Sequence, residues 1–142
     1  MEQAFIFADR LTDIACRDDF LIAVPRGIQT RKELLAIYER IGRFPGYFGG
    51  NWDAFLDCLR DFSWISERRI VIAHSDLPLS ADNDGARIYL EILATAVNDW
   101  HKPKAGPFAE PPLEMHYVEH EVVVVFPTEL RKTINHLPRR SS

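Results

Sequence analysis

The chain has 142 residues, of which 46% are apolar and 27% are charged, and it contains two cysteines. This length and composition predict one soluble globular domain with its own hydrophobic core, and they exclude a disulfide framework. The net charge of −4 disfavours nucleic-acid binding, because contacts to phosphate backbones need clustered Lys and Arg.

Two short strands and a helix are predicted in the first third of the chain. Residues 20–24 read FLIAV, which is typical of a buried strand, and residues 4–7 predict a further short strand. Thr30 followed by Glu33 indicates a capping box, and apolar residues at helical spacing predict a helix over 31–42. Its expected core residues are Leu34, Leu35, Ile37, Tyr38 and Ile41.

The segment 44–61, which reads FPGYFGGNWDAFLDCLRD, is the most informative in the chain. Its glycine-rich start predicts a loop with constrained turns, and Asn51 predicts the N-cap of a helix over 52–62. At about 100° per residue, three aspartates of this helix fall within roughly 80° of one another, opposite to bulky apolar residues. The aspartates are Asp53, Asp57 and Asp61, and the apolar residues are Phe55, Leu59 and Phe62. We expect a helix that packs on a core with one side and presents carboxylates to a cation-rich protein surface with the other.

The second half of the chain alternates strands and helices. Residues 69–73 (RIVIA) predict a second buried strand, and a helix is predicted over 85–100. Residues 102–112 contain four prolines and predict a surface excursion. The β-branched run 121–126 predicts a central strand buried on both faces, and 128–136 predict a short terminal helix. Strands separated by helices indicate right-handed crossovers in a small parallel sheet.

The negative charge is concentrated in the middle of the chain. Residues 46–99 hold nine acidic and four basic side chains, whereas the two signs nearly balance on either side. This asymmetry bears on which partners are attracted. Tyr47 and Phe48 beside the carboxylates are typical of interface anchors, while a solvated acidic face without a partner remains the alternative.

The sequence carries no recognisable catalytic motif. It contains no glycine-rich phosphate loop, no Cys-x-x-Cys, no His-Glu-x-x-His and no Gly-x-Ser-x-Gly. Asp53 and Asp57 are accompanied by no nucleophile or base. We therefore expect no catalytic residues, no metal site and no cofactor. His74 and Asp76, after a predicted strand, remain as an alternative small-molecule site of an enzyme, because ligands of α/β proteins bind at such strand ends.

The expected location is the cytoplasm. The N-terminus lacks the basic start and apolar run of a signal peptide, and no segment approaches the ~20 apolar residues of a membrane span. Cys16 and Cys58 are most simply read as thiols in a reducing compartment, with Cys58 as a small buried residue. We expect no membrane partner.

The segment PGYFGGNWDAFLDCL resembles the signature of the barstar family, intracellular inhibitors of a secreted bacterial ribonuclease. Ten residues match that signature in order and spacing: Pro45, Tyr47, Phe48, Gly49, Asn51, Asp53, Ala54, Asp57, Cys58 and Leu59. The resemblance covers about residues 20–126. It implies an α/β three-layer fold with a three-stranded parallel sheet packed with helices, and this chain departs from the family pattern by a Pro-rich insertion before the last strand.

The resemblance also implies a mechanism. Family members plug a ribonuclease active site with the second helix and the loop before it. The residue matching Asp57 enters the phosphate-binding pocket of the enzyme, and those matching Asp53 and Tyr47 lie in the contact. A carboxylate thus takes the place of an RNA phosphate and forms charge-assisted hydrogen bonds with Arg and Lys.

Several residues depart from the family pattern. Leu56 and Phe62 stand where the family's well-known inhibitor has tryptophans. Arg60 lies on the carboxylate side, where pairing with Asp57 would weaken the negative potential. Ala94 and Thr95 lie near where that inhibitor has a contacting glutamate. These changes affect the identity of the partner more than the fold.

The chain is therefore expected to be one domain over 1–142, with a core at 20–126 and peripheral ends and residues 102–120. We expect an inhibitor or immunity protein, monomeric when free, that binds a ribonuclease or ribonuclease-type toxin. The expected partner-binding residues are Tyr47, Phe48, Gly49, Asn51, Asp53, Leu56, Asp57, Arg60 and Asp61. The alternative is a non-inhibitory interaction module whose acidic helix docks on another basic protein.

Overall fold

The structure, a computed structural model, describes residues 4–10, 13–45, 50–101 and 119–137. In chain order its elements are β1 (Phe5–Phe7), β2 (Phe20–Val24), α1 (Arg31–Ile41), α2 (Trp52–Asp61), β3 (Arg69–His74), α3 (Asn83–His101), β4 (Glu121–Phe126), a 3-10 turn (Thr128–Leu130) and α4 (Arg131–Asn135). The strands and helices predicted from the sequence are confirmed, and their bounds differ only at the ends. The Pro-rich stretch at 102–112 lies outside the described residues.

The strands form one parallel sheet in the order β1-β4-β3-β2. The expected count of three strands is wrong, because β1 adds a fourth at the edge of β4. Phe5 is only 5% exposed, and its ring lies 5.3 Å from that of Phe126, so burial of aromatic surface favours this added strand. β4 lies inside the sheet with Val122 to Phe126 buried, which confirms the predicted central strand.

The helices build two layers on one face of the sheet. α1 contacts β2, α3 contacts β4, and α2 contacts α3. One core cluster joins the layers, with Ile22 and Val124 from the sheet, Leu34 from α1, Leu93 from α3 and Phe55 from α2. The sheet, the α1–α3 pair and α2 therefore form the three layers expected of the fold. As the outer layer, α2 has one side left for solvent. None of the helices in the described ranges is both long and apolar enough to cross a membrane.

Local features fix both ends of α1. Thr30 caps the start of α1, where its hydroxyl accepts the Glu33 N–H at 3.1 Å. At the other end a Cβ on Gly42 would lie 2.6 Å from the carbonyl oxygen of Tyr38, so only glycine fits there. Arg43 follows with φ of 57°, which ends the helix.

Candidate functional site

The start of α2 is fixed by a local cap. Asn51 has extended backbone angles, and its side-chain oxygen accepts the Ala54 N–H at 2.8 Å. This contact satisfies one of the otherwise unpaired N–H groups of the first turn. Asp53 lies in the same turn, where a negative charge interacts favourably with the positive end of the helix dipole. The N-cap predicted from the sequence is confirmed.

The other end of α2 is held by residues distant in sequence. Phe62 adopts a left-handed conformation with φ of 45°, and its N–H donates to the carbonyl oxygen of Cys58. The indole N–H of Trp100 donates to the Leu59 carbonyl at 2.7 Å, and His120 Nε2 lies 2.9 Å from the Phe62 carbonyl. These partners satisfy carbonyl groups that a helix end leaves unpaired. The helix therefore has a fixed position on the protein.

The inner side of α2 is packed against aromatic side chains. Phe55, Leu59 and Phe62 are each 0% exposed, as the helical pattern predicts. The ring of Phe55 lies 4.6 Å from Tyr38 of α1 in an edge-to-face arrangement and 6.0 Å from Tyr89 of α3. Such contacts add to the hydrophobic stabilisation of the burial itself. They fasten α2 to both helices of the middle layer.

A buried chain of hydrogen bonds lies beneath these rings. The hydroxyl oxygens of Tyr38 and Tyr89 are 2.6 Å apart, and Tyr89 lies 2.7 Å from His74 Nε2. Nδ1 of His74 lies 2.9 Å from the Val125 carbonyl, so Nδ1 donates and Nε2 accepts from Tyr89. Burial lowers the pKa of His74 to about 4, although the bond to Val125 acts in the opposite direction. His74 is therefore a neutral core residue.

The outer side of α2 presents the three aspartates to solvent. Asp53, Asp57 and Asp61 are all exposed. Among the described residues, Asp53 and Asp57 form no hydrogen bond and no ion pair with another side chain. Burial raises the pKa of the Cys58 thiol to about 11, and the carboxylates of Asp61 and Asp57 act in the same direction. The helix therefore combines fixed geometry with two carboxylates one turn apart, those of Asp53 and Asp57, that are open to a partner.

Arg60 does not neutralise this face in the way the sequence suggested. Its Nε lies 2.8 Å from a carboxylate oxygen of Asp99 in α3. An alternative partner on the neighbouring helix thus competes with Asp57, which lies only three positions earlier in α2. The sequence allowed Arg60 to pair with Asp57, and the structure pairs it instead with Asp99, so that the cation is held toward α3.

The remaining predicted residues fall into two groups. Leu56 is half-buried and packs at the edge of the core. Tyr47, Phe48 and Gly49 lie outside the described residues. On α3, Ala94 is 8% exposed and Thr95 is exposed. Thr95 lines a depression shared with Asp53 and Glu91; Glu91 was not predicted as a site residue, because only the packing of α3 beside α2 brings it there.

A competing cleft of about 440 Å³ lies at the carboxyl ends of the strands. His74 and Ser75 line it, together with Arg26. Both ring nitrogens of His74 are already engaged inside the protein, so no free nitrogen is available to act as a base. Asp76 accepts the Gly27 N–H at 3.0 Å. His74 is therefore not available as a base in this cleft, whereas Asp76 keeps one buried carboxylate oxygen, Oδ1, without a hydrogen-bond partner among the described residues.

A comparison with protein families places the acidic helix inside a known domain. The family model described as Barstar (barnase inhibitor) matches residues 19–111. This range is about two thirds of the chain and runs from just before β2 to beyond α3, so that it contains all of α2. No curated protein and no solved structure gives a significant match.

Proposed function

The chain belongs to the barstar family, and on that premise we propose that it binds and blocks the basic active site of a ribonuclease. The partner in this proposal is a ribonuclease or a ribonuclease-type toxin of the same cell. The chain acts as its inhibitor or immunity protein in the cytoplasm and catalyses no reaction. The acidic side of α2 and the loop that precedes it form the contact.

The observation that carries this proposal is the state of Asp53 and Asp57. Both are exposed on a helix whose two ends and inner side are fixed, and the nearby Arg60 is paired with Asp99. A ribonuclease cleft holds Arg and Lys side chains for RNA phosphates. A carboxylate offered there forms short charge-assisted hydrogen bonds with them. Because the helix is preorganised, little ordering entropy is lost when the contact forms.

Each residue has a distinct role in the proposed contact. Asp57 is the main substitute for a phosphate, and Asp53 supplies the second anionic contact. Asn51 sets the start of the helix and hence the position of both carboxylates. Leu56 and Asp61 border the contact. In addition, Tyr47 is proposed as an aromatic anchor beside Phe48, with Gly49 holding the shape of the loop.

The sign of the charge also supports a protein partner over nucleic acid. The carboxylates of α2 repel phosphate backbones and attract a basic cleft. In a second candidate function, the carboxylates of α2 attract a different basic protein, and α2 docks on that protein without inhibiting an enzyme. It shares the exposed carboxylates with the first proposal. Only the family match, whose description names barnase inhibitors, favours the ribonuclease.

The test is inhibition of RNA hydrolysis. Barnase and other small basic secreted ribonucleases are titrated with the purified chain, and residual cleavage of RNA is followed. The proposal predicts loss of activity at a one-to-one ratio with at least one of them, and weaker inhibition by an Asp53→Asn, Asp57→Asn double variant. Full activity of every ribonuclease at excess folded chain contradicts the proposal. Capture of another basic protein then favours the second candidate.

A further inference from the structure

The strand β2 forms one edge of the sheet. It pairs with β3 in unbroken parallel register over Phe20–Val24. The Val24 carbonyl accepts the Ser75 N–H at 3.2 Å, just after the end of β3, and the backbone groups of successive residues alternate between the two sides of a strand. The N–H and C=O groups of Leu21 and Ala23 therefore point away from β3, to a side on which no strand of the described residues pairs.

This edge lacks the features that normally keep the strands of two molecules from pairing. Exposed edges are usually short, charged, bulged or interrupted by proline. The segment FLIAV has no charge and no proline, and its register with β3 shows no bulge. Leu21 is 39% exposed although it is a large apolar residue. The opposite edge, β1, has only three residues, so β2 is the edge better suited to pairing.

The side chains of β2 are complementary to those of a second, antiparallel β2. With a twofold axis at Ile22, Leu21 lies opposite Ala23 of the other copy on both sides of the axis. A large exposed side chain then meets a small exposed one, which favours close cross-strand packing. Because Leu21 and Ala23 both point their backbone groups outward, each such pair exchanges both of its N–H···O bonds.

The charges that flank β2 are complementary in the same register. Position 18 of one copy comes opposite position 26 of the other. Asp18 and Arg26 are exposed, and neither forms an ion pair with another side chain among the residues that the structure describes. Arg26 makes one long contact, of 3.4 Å, with the Ser75 carbonyl. Antiparallel pairing therefore brings opposite charges together at both ends of the contact, whereas parallel pairing in register would bring like charges together.

We propose that two copies of the chain associate through their β2 edges into an antiparallel dimer with one continuous sheet. This inference departs from the monomer expected from the sequence. The contact is small beside the ~1,600 Å² of a standard interface, so the dimer is weak and forms at high chain concentration. The layer of α1 and α3 separates α2 from the sheet. Both acidic helices of the dimer therefore stay accessible, and the inference does not depend on the proposed function.

The first test is sedimentation velocity over a dilution series that reaches about 1 mM chain. The unmodified chain is expected to pass from monomer to dimer as its concentration rises. Ala23→Pro is expected to stay monomeric, because it removes an outward N–H at a place where an edge strand tolerates proline. Circular dichroism checks that this variant is folded. A monomeric unmodified chain, or a folded Ala23→Pro variant that dimerises equally well, overturns the inference.

The second test changes only exposed charges outside the strand, so folding is preserved. Asp18→Arg and Arg26→Asp each place like charges opposite one another at both ends of the contact. Each is expected to weaken dimerisation roughly tenfold at low salt, through lost attraction and new repulsion at exposed pairs. Glu119→Arg is the control, because it makes the same charge change before β4, which β3 separates from β2, and it should leave dimerisation unchanged.

Mixing the variants tests the register itself. In an equimolar mixture of Asp18→Arg and Arg26→Asp, each arginine faces an aspartate of the other variant, so association is expected to return to the level of the unmodified chain. A mixture of Glu119→Arg and Arg26→Asp should not restore it. Single variants that dimerise like the unmodified chain, or a first mixture that fails to recover association, overturn the antiparallel β2 contact.

Discussion

Arg60 and Asp99 form an ion pair of 2.8 Å between α2 and α3, and this pair engages the guanidinium that follows Asp57 by three positions in α2. The side chains of Arg60 and Asp99 are 49% and 23% exposed, so the pair contributes less than about 1 kcal/mol to stability. Its larger consequence concerns the electrostatic potential of the carboxylate face.

Replacing Asp99 is therefore expected to slow association more than it lowers stability. In Asp99→Asn the guanidinium of Arg60 is released and can approach Asp57, which reduces the attraction of a basic partner. We expect association with the ribonuclease to slow by roughly two- to threefold, and Arg60→Gln to accelerate it. Stopped-flow mixing measures the rates, and urea unfolding measures the stability. Unchanged association rates in both variants would show that the pair has no electrostatic role.

The association rate is expected to fall as salt is added. Charges exposed at the surface are screened over about 10 Å at 0.1 M ionic strength, and Asp53 and Asp57 are exposed. The dependence is measured by stopped-flow mixing from low to physiological salt. An Asp53→Asn, Asp57→Asn variant should show a shallower dependence. A salt-independent rate for the unmodified chain would contradict electrostatic attraction by this face.

The two cysteines are expected to differ in reactivity. Cys58 is 1% exposed and its pKa is raised to about 11 by burial and by the carboxylates of Asp61 and Asp57, so it carries little thiolate at neutral pH. Cys16 is exposed. Ellman's reagent at pH 7.5 should titrate one thiol in the folded protein and two after denaturation. The Cys16→Ser variant should then show no reactive thiol when folded, and rapid modification of Cys58 would contradict the packing of α2.

His74 is expected to make the protein less stable at mildly acidic pH. Its pKa in the folded state is about 4, below its ordinary value of ~6.5. Its contribution to the free energy of unfolding is therefore complete above about pH 6.5. Between these values the unfolded chain binds a proton that the folded chain excludes. Stability therefore falls by roughly 1.4 kcal/mol per pH unit, or about 2 kcal/mol from pH 7.5 to pH 5.

Urea unfolding at the two pH values measures this loss. His74→Gln is expected to be less stable at pH 7.5, because the bonds to Tyr89 and Val125 are perturbed, but to depend less on pH. His101→Gln, which replaces an exposed histidine, is the control and should retain the full dependence. The same pH dependence in His74→Gln and the unmodified chain would refute a buried neutral His74.

The sequence predicted those parts of the site that depend on local interactions. The N-cap at Asn51 and the opposite sides of α2 follow from residue type and from helical periodicity, both of which act within a few residues. The pairing of Arg60 with Asp99 depends on how α2 packs against α3, so the local pattern suggested Asp57 instead. The bonds from Trp100 and His120 to the end of α2 join residues more than forty positions apart and likewise had no local signal.

The number of strands was missed for a related reason. Residues 4–7 showed a weak strand pattern, and only the partner edge of β4 decides whether such a short segment pairs. Here the burial of Phe5 against Phe126 favours pairing of the segment with β4. The left-handed backbone conformation of Phe62 could not be predicted from the local sequence either. A phenylalanine at φ of 45° is locally unfavourable, and burial of its ring stabilises it here.

The central claim is tested most directly by isothermal titration calorimetry on a ribonuclease that the unmodified chain inhibits. That ribonuclease is titrated with the Asp57→Asn variant. The control is the Asp18→Asn variant, which neutralises an exposed aspartate before β2. Loss of a charged partner from a desolvated interface costs roughly 2–5 kcal/mol, a range carried over from complexes of this type, including barnase–barstar itself. We predict such a loss for Asp57→Asn, with folding unchanged because the residue is exposed, and full affinity for Asp18→Asn. Full affinity of Asp57→Asn would contradict the role of this carboxylate as a substitute for phosphate.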